Sequence, residues 1–525
     1  MTAPRAALAL LAVLALALLA AGGPFGGAVA AAQGGGKPPN IILVVTDDQP
    51  LEAFNSAVMP RTARRLARRG TAFENAVVTT PQCCPSRATL LTGQYGHNHG
   101  LLDNDPGWPA LEAKNNTLPN WLRAAGYRTA HVGKWLHHYG ERTERRNAVG
   151  PGWSQWQTFL TLDYYDYRLR VNGRSVRYGD EPADHLTRVL NRRATGIVKR
   201  SLPKRKPLYL QLDHVAPHRG DGGSGRCRRS AVPDPRDRKL FRKQPLPRPP
   251  SFNEADVSDK PSFASERPPL GGKQIASIRR KYRCALASLR AVDRGIGKLV
   301  RAVRRSGERR NTAIIFTSDN GFFAGEHRMA RGKVLPYEES IRVPLVMVLP
   351  RRLTGAAGQP NVVAEPVANV DLAPTILELA RAQPCRRGQC RTLDGRSLAG
   401  LALGSDESWP EDRAIAVEFS TPSRAGRPNG IFTCAYTGLW TGERVFVDHM
   451  RIPDPESGFA CEPSPGVEEL YHLAADPFQL NNLAFTDPAG SAAERAELRD
   501  RLDALRSCAG VAGRDPAPPD GANCE

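Results

Sequence analysis

Asp47 and Asp48 stand side by side after Thr46, at the end of an apolar run, Ile41 to Val45. Adjacent carboxylates at the end of a buried strand repel each other unless a cation sits beside them. Far along the chain, Asp319 and Asn320 follow a second apolar run, Ala313 to Phe316. If the two strands are neighbours, Asp47, Asp48, Asp319 and Asn320 supply an all-oxygen cage. Oxygen donors suit a hard cation, Ca²⁺ or Mg²⁺, rather than zinc. Each pair alone also fits ordinary turn and capping chemistry. Four further side chains are candidates for holding an anion or moving a proton. They are Arg87, Lys134 in Gly133-Lys134-Trp135-Leu136-His137-His138, Lys333 after Gly332, and His218 in Ala216-Pro217-His218. Fixed cations offset charge on the oxygens of an anionic ester, and a histidine can protonate a leaving alkoxide. Cys83 and Cys84 precede Pro85-Ser86-Arg87. In an exported protein a cysteine pair ordinarily feeds disulfides.

These residues need a scaffold that brings distant segments to one place. Ile41 to Val45 is apolar and rich in β-branched residues, the pattern of a buried strand. Tyr127–Val132, Leu208–Leu212, Ala313–Phe316 and Val343–Val348 read the same way. Helical spacing covers 59–69, 118–125, 276–305 and 371–380. Strands alternating with helices, with polar clusters after the strand ends, describe an α/β sheet that binds ligands at the carboxyl ends of its strands. Residues 219–275 are rich in Arg, Pro, Ser and Gly, and read as a surface insertion. After residue 400 the texture changes. Short strands over 414–419, 432–436 and 444–448, then a helix over 492–506, predict a smaller C-terminal α+β unit with an antiparallel sheet.

The 525 residues carry 73 Lys+Arg against 53 Asp+Glu, a net charge of +20. Such a surface attracts polyanions by long-range steering. No zinc-finger spacing, aromatic-basic pattern or heptad-bearing basic helix points to nucleic acid. Arg5, an apolar run from Ala6 to Ala21 and the small residues Ala28-Val29-Ala30 have the layout of a secretory signal peptide over 1–32. Its cleavage would leave no stable membrane anchor. Ten cysteines less Cys83 and Cys84 leave eight, an even set for a secreted protein. Proximity in sequence suggests Cys385–Cys390, Cys434–Cys461 and Cys508–Cys524, leaving Cys227–Cys284.

The run Cys83-Cys84-Pro85-Ser86-Arg87-Ala88-Thr89-Leu90-Leu91-Thr92-Gly93 resembles the signature of the sulfatase family. Blocks at 40–48, 126–134 and 317–344 resemble that family in the same order, as do Glu469-Leu470-Tyr471, Asp476-Pro477 and Asn482-Leu483-Ala484. The resemblance implies an alkaline phosphatase-like fold: a large, central, mostly parallel mixed sheet flanked by helices. It implies a catalytic domain over 33–400, with 219–275 as its insertion and 401–525 as the smaller unit. It also implies that Cys83, in the register of the signature, is converted by a formylglycine-generating enzyme to formylglycine, whose hydrate attacks sulfur. Cys84 holds the variable position. By the same resemblance Ca²⁺ is held by Asp47, Asp48, Asp319, Asn320 and the modified Cys83. Arg87 and Lys134 steady the modified residue, Lys333 holds sulfate, and His218 protonates the leaving alcohol. A histidine after Lys134 acts as base. Many members place it two residues on, where this chain has Leu136. Some place it three on, which selects His137, with His138 as rival.

A narrower resemblance concerns substrate. Gly93 to Gly100, Pro151 to Trp156, Tyr164 to Tyr167 and Val171-Asn172-Gly173 are similar to N-acetylglucosamine-6-sulfatases and extracellular heparan endosulfatases. They imply a 6-O-sulfated N-acetylglucosamine in a sulfated glycan. The competing readings are a generalist arylsulfatase and a phosphonate or phosphodiester hydrolase of the same superfamily. A non-enzymatic glycan-binding protein is the third, and the intact motif positions argue against it.

Overall fold

A computed structural model describes residues 36–140, 148–159, 161–202, 204–220, 225–355, 358–360, 362–406, 408–419, 435–449, 453–454, 459–460, 467–519 and 521–524. The expected signal peptide and the expected Cys434–Cys461 bridge lie outside these residues. The other three bridges, Cys227–Cys284, Cys385–Cys390 and Cys508–Cys524, are formed. Cys83 and Cys84 are free and buried.

Ten strands make one sheet. In chain order they are β1 (Asn40–Asp47), β2 (Thr71–Phe73), β3 (Arg128–Gly133), β4 (Gln155–Phe159), β5 (Arg168–Val171), β6 (Arg174–Arg177), β7 (Leu208–Pro217), β8 (Thr312–Ser318), β9 (Leu345–Val348) and β10 (Val362–Val363). Across the sheet they run β10-β2-β9-β8-β1-β7-β3-β4-β5-β6. The centre is parallel: β1 pairs with β7 and β8, and β3 with β7 and β4. Antiparallel pairs lie toward the edges, β9 with β8 and β2, and β5 with β4 and β6. This is the mostly parallel mixed sheet expected, with a hairpin of β5 and β6 added.

Every residue of β1 is buried. Ile41, Leu43 and Val45 face one core and Ile42 and Val44 the other. A strand covered on both faces is apolar at consecutive positions, which explains its unbroken apolar run. Helices α1 (Cys83–Thr92) and α4 (Leu372–Ala380) supply the first core; α2 (Leu186–Ser201) and α3 (Gly272–Arg305) supply the second. Helices α2 and α3 approach closely at Gly295, where any Cβ would lie 1.7 Å from Asn191 Oδ1. Asn191 Nδ2 donates to Ala291 O at 2.9 Å in the same contact.

A short helix, α5 (Ala399–Leu403), crosses residue 400, and its Leu401 packs in the first core. The C-terminal unit is an antiparallel sheet, β11 (Ile415–Phe419), β12 (Tyr436–Trp440), β13 (Arg444–His449) and β14 (Val467–His472), joined to its neighbours in that order. Of the strand expected over 432–436, residues 432–434 lie outside the described set, and Tyr436 is the first residue of β12. Helix α6 (Ala492–Arg506) lays Leu498, Leu502 and Leu505 on this sheet, one helical face at spacings of four and three. Among the described residues no helix is long and apolar enough to cross a membrane.

His97-Asn98-His99 docks the two units. His97 Nδ1 pairs with Glu418 Oε2 at 2.8 Å, and Asn98 Nδ2 donates to Asp394 Oδ2 at 2.9 Å and to Cys508 O at 2.7 Å. Burial opposes a charge on His97, but Glu418 outweighs it and raises its pKa from 6.5 to about 9. A raised histidine stabilises the fold fully below its unfolded value, and that contribution is lost as pH rises through the folded one. A shift of this size is worth on the order of 3 kcal/mol. His97→Gln therefore melts earlier than the wild type below pH 6.5, and the two curves converge above pH 9. Thermal melts across that range check this; a pH-independent gap contradicts it.

Candidate active site

The acidic pairs leave neighbouring parallel strands side by side. Thr46 of β1 pairs with Ser318 of β8, so the residues after each come together. The Asp319 N–H donates to Thr46 O at 3.0 Å, and the Asp48 N–H to Asp319 Oδ1 at 3.1 Å. Asn320 Nδ2 donates to Asp48 Oδ1 at 2.8 Å. Asp48 sits at φ 61, a left-handed conformation costly for a residue with a side chain. The surrounding bonds hold it there.

Cys83 opens α1, a helix buried along its whole length. Its thiol lies 3.5 Å from Asp47 Oδ1, and one ligand atom each from Asp47, Asp48 and Cys83 falls within 4.8 Å of the others. The helix N-terminus adds partial positive charge beside it. Lys134 Nζ donates to Asp47 Oδ2 at 2.7 Å. Lys333 Nζ lies 2.7 Å from Cys83 Sγ and 3.2 Å from Asn320 Oδ1, and also pairs with Asp48. Arg87, one turn into α1, donates from Nε to Asp319 Oδ2 at 2.9 Å and from Nη1 to Asp213 Oδ1 at 2.8 Å. Gly133 is required before Lys134: a Cβ there would lie 1.8 Å from Asp213 O.

His218 follows the end of β7 with Nε2 3.7 Å from Asp48 Oδ2, while its Nδ1 lies 2.6 Å from Arg219 O. The two histidines after Lys134 diverge. His137 turns inward; its backbone N–H donates to Cys84 Sγ at 3.1 Å, and its buried Nε2 has no hydrogen-bond partner. Burial first, then the Lys134 charge, lowers its pKa from 6.5 to about 3. His138 turns outward, with Nε2 3.7 Å from Asp105 Oδ1.

The charges are strongly perturbed. Burial acts to raise the Asp47 pKa, but Lys134, His218, Arg87 and Lys333 together hold it below the carboxylate range. Asp319 goes the other way, pushed to about 6 by burial and the Asp47 charge. The Cys83 thiol is raised to about 12, chiefly by burial, with the lysines only partly opposing. An unmodified thiol there is neutral at ordinary pH and a poor nucleophile. Burial also lowers the His218 pKa. Asp47 and Asp48 give an oxygen-rich donor set beside the Cys83 thiol, and Asn320 Oδ1 reaches the same Lys333 ammonium; with an oxygen in place of Sγ the set would suit a hard divalent cation rather than zinc.

The structure thus brings Asp47, Asp48, Cys83, Arg87, Lys134, His218, Asp319, Asn320 and Lys333 to one end of the sheet, with His137 alongside. Two partners were missed in the sequence. Asp213 of β7 accepts from Arg87, and its Oδ2 lies 3.1 Å from His131 Nε2 of β3. The signal was available: Asp213 is the one carboxylate in the apolar strand Leu208–Pro217, and a buried carboxylate demands a cation. A cavity of about 280 Å³ opens from this centre. Asp48, His218 and Lys333 line its floor, and Tyr282, Phe322 and Phe323 its wall.

The Sulfatase family model matches residues 39–382. N-acetylglucosamine-6-sulfatase of Homo sapiens is 29% identical over 505 residues, covering 90% of this chain and 85% of that protein. The extracellular sulfatase SULF-1 homologue of Drosophila melanogaster is 31% identical over 385 residues, 70% of this chain. This chain spans 32% of that relative's length and 48% of that of a Caenorhabditis elegans Sulf-1 homologue. A solved complex with its substrate D-glucosamine-2-N,6-O-disulfate superposes with a TM-score of 0.70 at 24% identity, over 89% of this chain and 97% of that one. Phosphonate monoester hydrolase of Agrobacterium radiobacter superposes at 0.65 with 22% identity, over 89% and 95%. At these identities the two structures speak for the fold alone. The family model covers well over half of the sequence, and the chain belongs to the sulfatase family.

Proposed function

We propose that the chain is a secreted sulfatase that hydrolyses the 6-O-sulfate ester of N-acetylglucosamine in glycans. The observation that carries the activity is Cys83 Sγ, a thiol too basic to react, held between Lys333 Nζ at 2.7 Å and Asp47 Oδ1 at 3.5 Å. Sγ marks the place that an oxygen of formylglycine would take. Formylglycine made from Cys83 would supply the attacking oxygen, and a divalent cation on Asp47, Asp48, Asp319 and Asn320 would supply positive charge beside it.

The chain's own residues do the rest. Lys333 faces the ester oxygens with fixed charge, Lys134 steadies Asp47 beside the modified residue, and Arg87 pins Asp319 in place. Preorganised cations of this kind stabilise charge that grows in the transition state. His218, at the mouth, donates the proton to the leaving alkoxide. Burial favours its neutral form, and the ester's negative charge restores the protonated one. His137 serves as base, held in its neutral form by burial and Lys134 with Nε2 unpartnered. The relatives named N-acetylglucosamine-6-sulfatase, matched over 90% of the chain, support the glucosamine substrate. The three bridges support an oxidising, extracytoplasmic location.

His137→Ala lowers kcat about 10²- to 10³-fold, the usual worth of a proton-transfer group, and His138→Ala leaves it within a few-fold. Steady-state turnover checks this; the reverse order assigns the base to His138. The substrate is tested on defined glycosaminoglycan disaccharides with an aryl sulfate and a phosphate diester alongside. Selective release of 6-O-sulfate from glucosamine supports the proposal. Turnover of the diester orders of magnitude above every sulfate overturns it.

A further inference from the structure

Beside the reaction cavity lies a second space of about 640 Å³, lined by Arg228, Arg229, Arg280, Lys281 and Arg331 and, among the described residues, by no carboxylate. The two spaces share Arg229, Lys281 and Arg331 in their walls, so they adjoin. Among the described residues no acidic side chain forms an ion pair with any of the five. Uncompensated like charges destabilise one another. The strain is visible at Lys281, whose pKa is lowered by burial and then by Arg331, Arg280, Arg219 and Arg229.

The cluster is built on rigid parts. Arg280 and Lys281 sit on α3, and the Cys227–Cys284 bridge ties the loop carrying Arg228 and Arg229 to that helix. Arg229 is held in the left-handed region at φ 53, and the next residue donates from Ser230 Oγ to Lys281 O at 3.5 Å. Arg331 stands two residues before Lys333, which faces the reacting group. The basic trough, more than twice as large, therefore adjoins the reaction cavity.

We propose that this trough is an anion subsite for the continuation of a sulfated oligosaccharide, holding sulfate or carboxylate groups on the sugars next to the one being cleaved. It rests on the sulfatase reading and adds that the substrate is a multiply charged chain rather than an isolated monosulfate. Arg228 and Arg280 line only the outer space, and both are exposed, so substituting them does not disturb the core.

The test compares Arg228→Glu/Arg280→Glu with wild type on a multiply sulfated heparin-derived hexasaccharide and on a small aryl monosulfate. Exposed cation–anion contacts are individually modest, but two charge reversals act together. The ratio of kcat/KM for hexasaccharide over aryl sulfate falls on the order of tenfold, mostly through KM. The gap narrows as salt is raised, because exposed charges are screened over about 8 Å at physiological ionic strength. An unchanged ratio overturns the subsite, whether both activities hold or both fall. Calorimetric binding of the same hexasaccharide separates this from the activity itself. If the wild type hydrolyses neither ester, salt-sensitive binding that the double variant loses still supports the subsite, and absence of binding removes it.

Discussion

Cys83→Ala abolishes sulfate-ester hydrolysis, by a factor of at least ~10⁴, while Cys84→Ala costs only about a few-fold. Removing a nucleophile outright costs about 10⁶-fold in well-studied hydrolases, so the bound is conservative. The two cysteines are both buried and free, and differ in what they touch. Cys83 Sγ contacts Asp47 and Lys333. Cys84 points into the first hydrophobic core, and its Sγ accepts the His137 N–H at 3.1 Å. Trimming it to Ala leaves a small void and one unpaired N–H, a stability loss of about 1–3 kcal/mol. His137 loses an anchor, so a few-fold drop in kcat is expected, not abolition. Equal loss in both variants, at equal folded protein, refutes the assignment to Cys83.

Arg87→Met destabilises the fold by about 3–5 kcal/mol and lowers turnover by more than ~10³-fold. The guanidinium is 3% exposed and bridges two carboxylates that are fully buried, Asp319 and Asp213. Methionine leaves both without a cation, and an uncompensated buried charge is the expensive case. Asp319 would move toward its protonated form, which spoils it as an oxygen donor. Arg87→Lys does not rescue, because one ammonium cannot form the paired contacts that Nε, Nη1 and Nη2 make. Denaturant midpoints with turnover check this. A midpoint unchanged from wild type shows that the pair is dispensable.

Much of the site was readable because its chemistry is local. Asp47-Asp48 and Asp319-Asn320 each follow an apolar run, and polar residues there mark the carboxyl end of a buried strand. That the two strands are adjacent, with Thr46 opposite Ser318, is a property of the sheet order and has no signature in either segment. The same applies to Asp213, whose partners Arg87 and His131 are remote in sequence. Helix α1 gave little warning, since its buried face extends all the way round and leaves no periodicity. The β5–β6 hairpin did carry a signal, since Arg168-Leu169-Arg170-Val171 alternates polar and apolar and Asn172-Gly173 is a two-residue hairpin turn. His97-Asn98-His99 read as part of a substrate-linked block, yet its contacts are with Glu418, Cys508, Asp394 and Thr89. A motif shared with a subgroup can record how two units dock as readily as what they bind.

The most direct test is mass spectrometry of the peptide containing Cys83, taken from protein that is releasing sulfate from an ester. The account predicts that sulfur and two hydrogens are replaced by one oxygen at Cys83, with Cys84 unchanged. An intact thiol at Cys83 in fully active protein contradicts it.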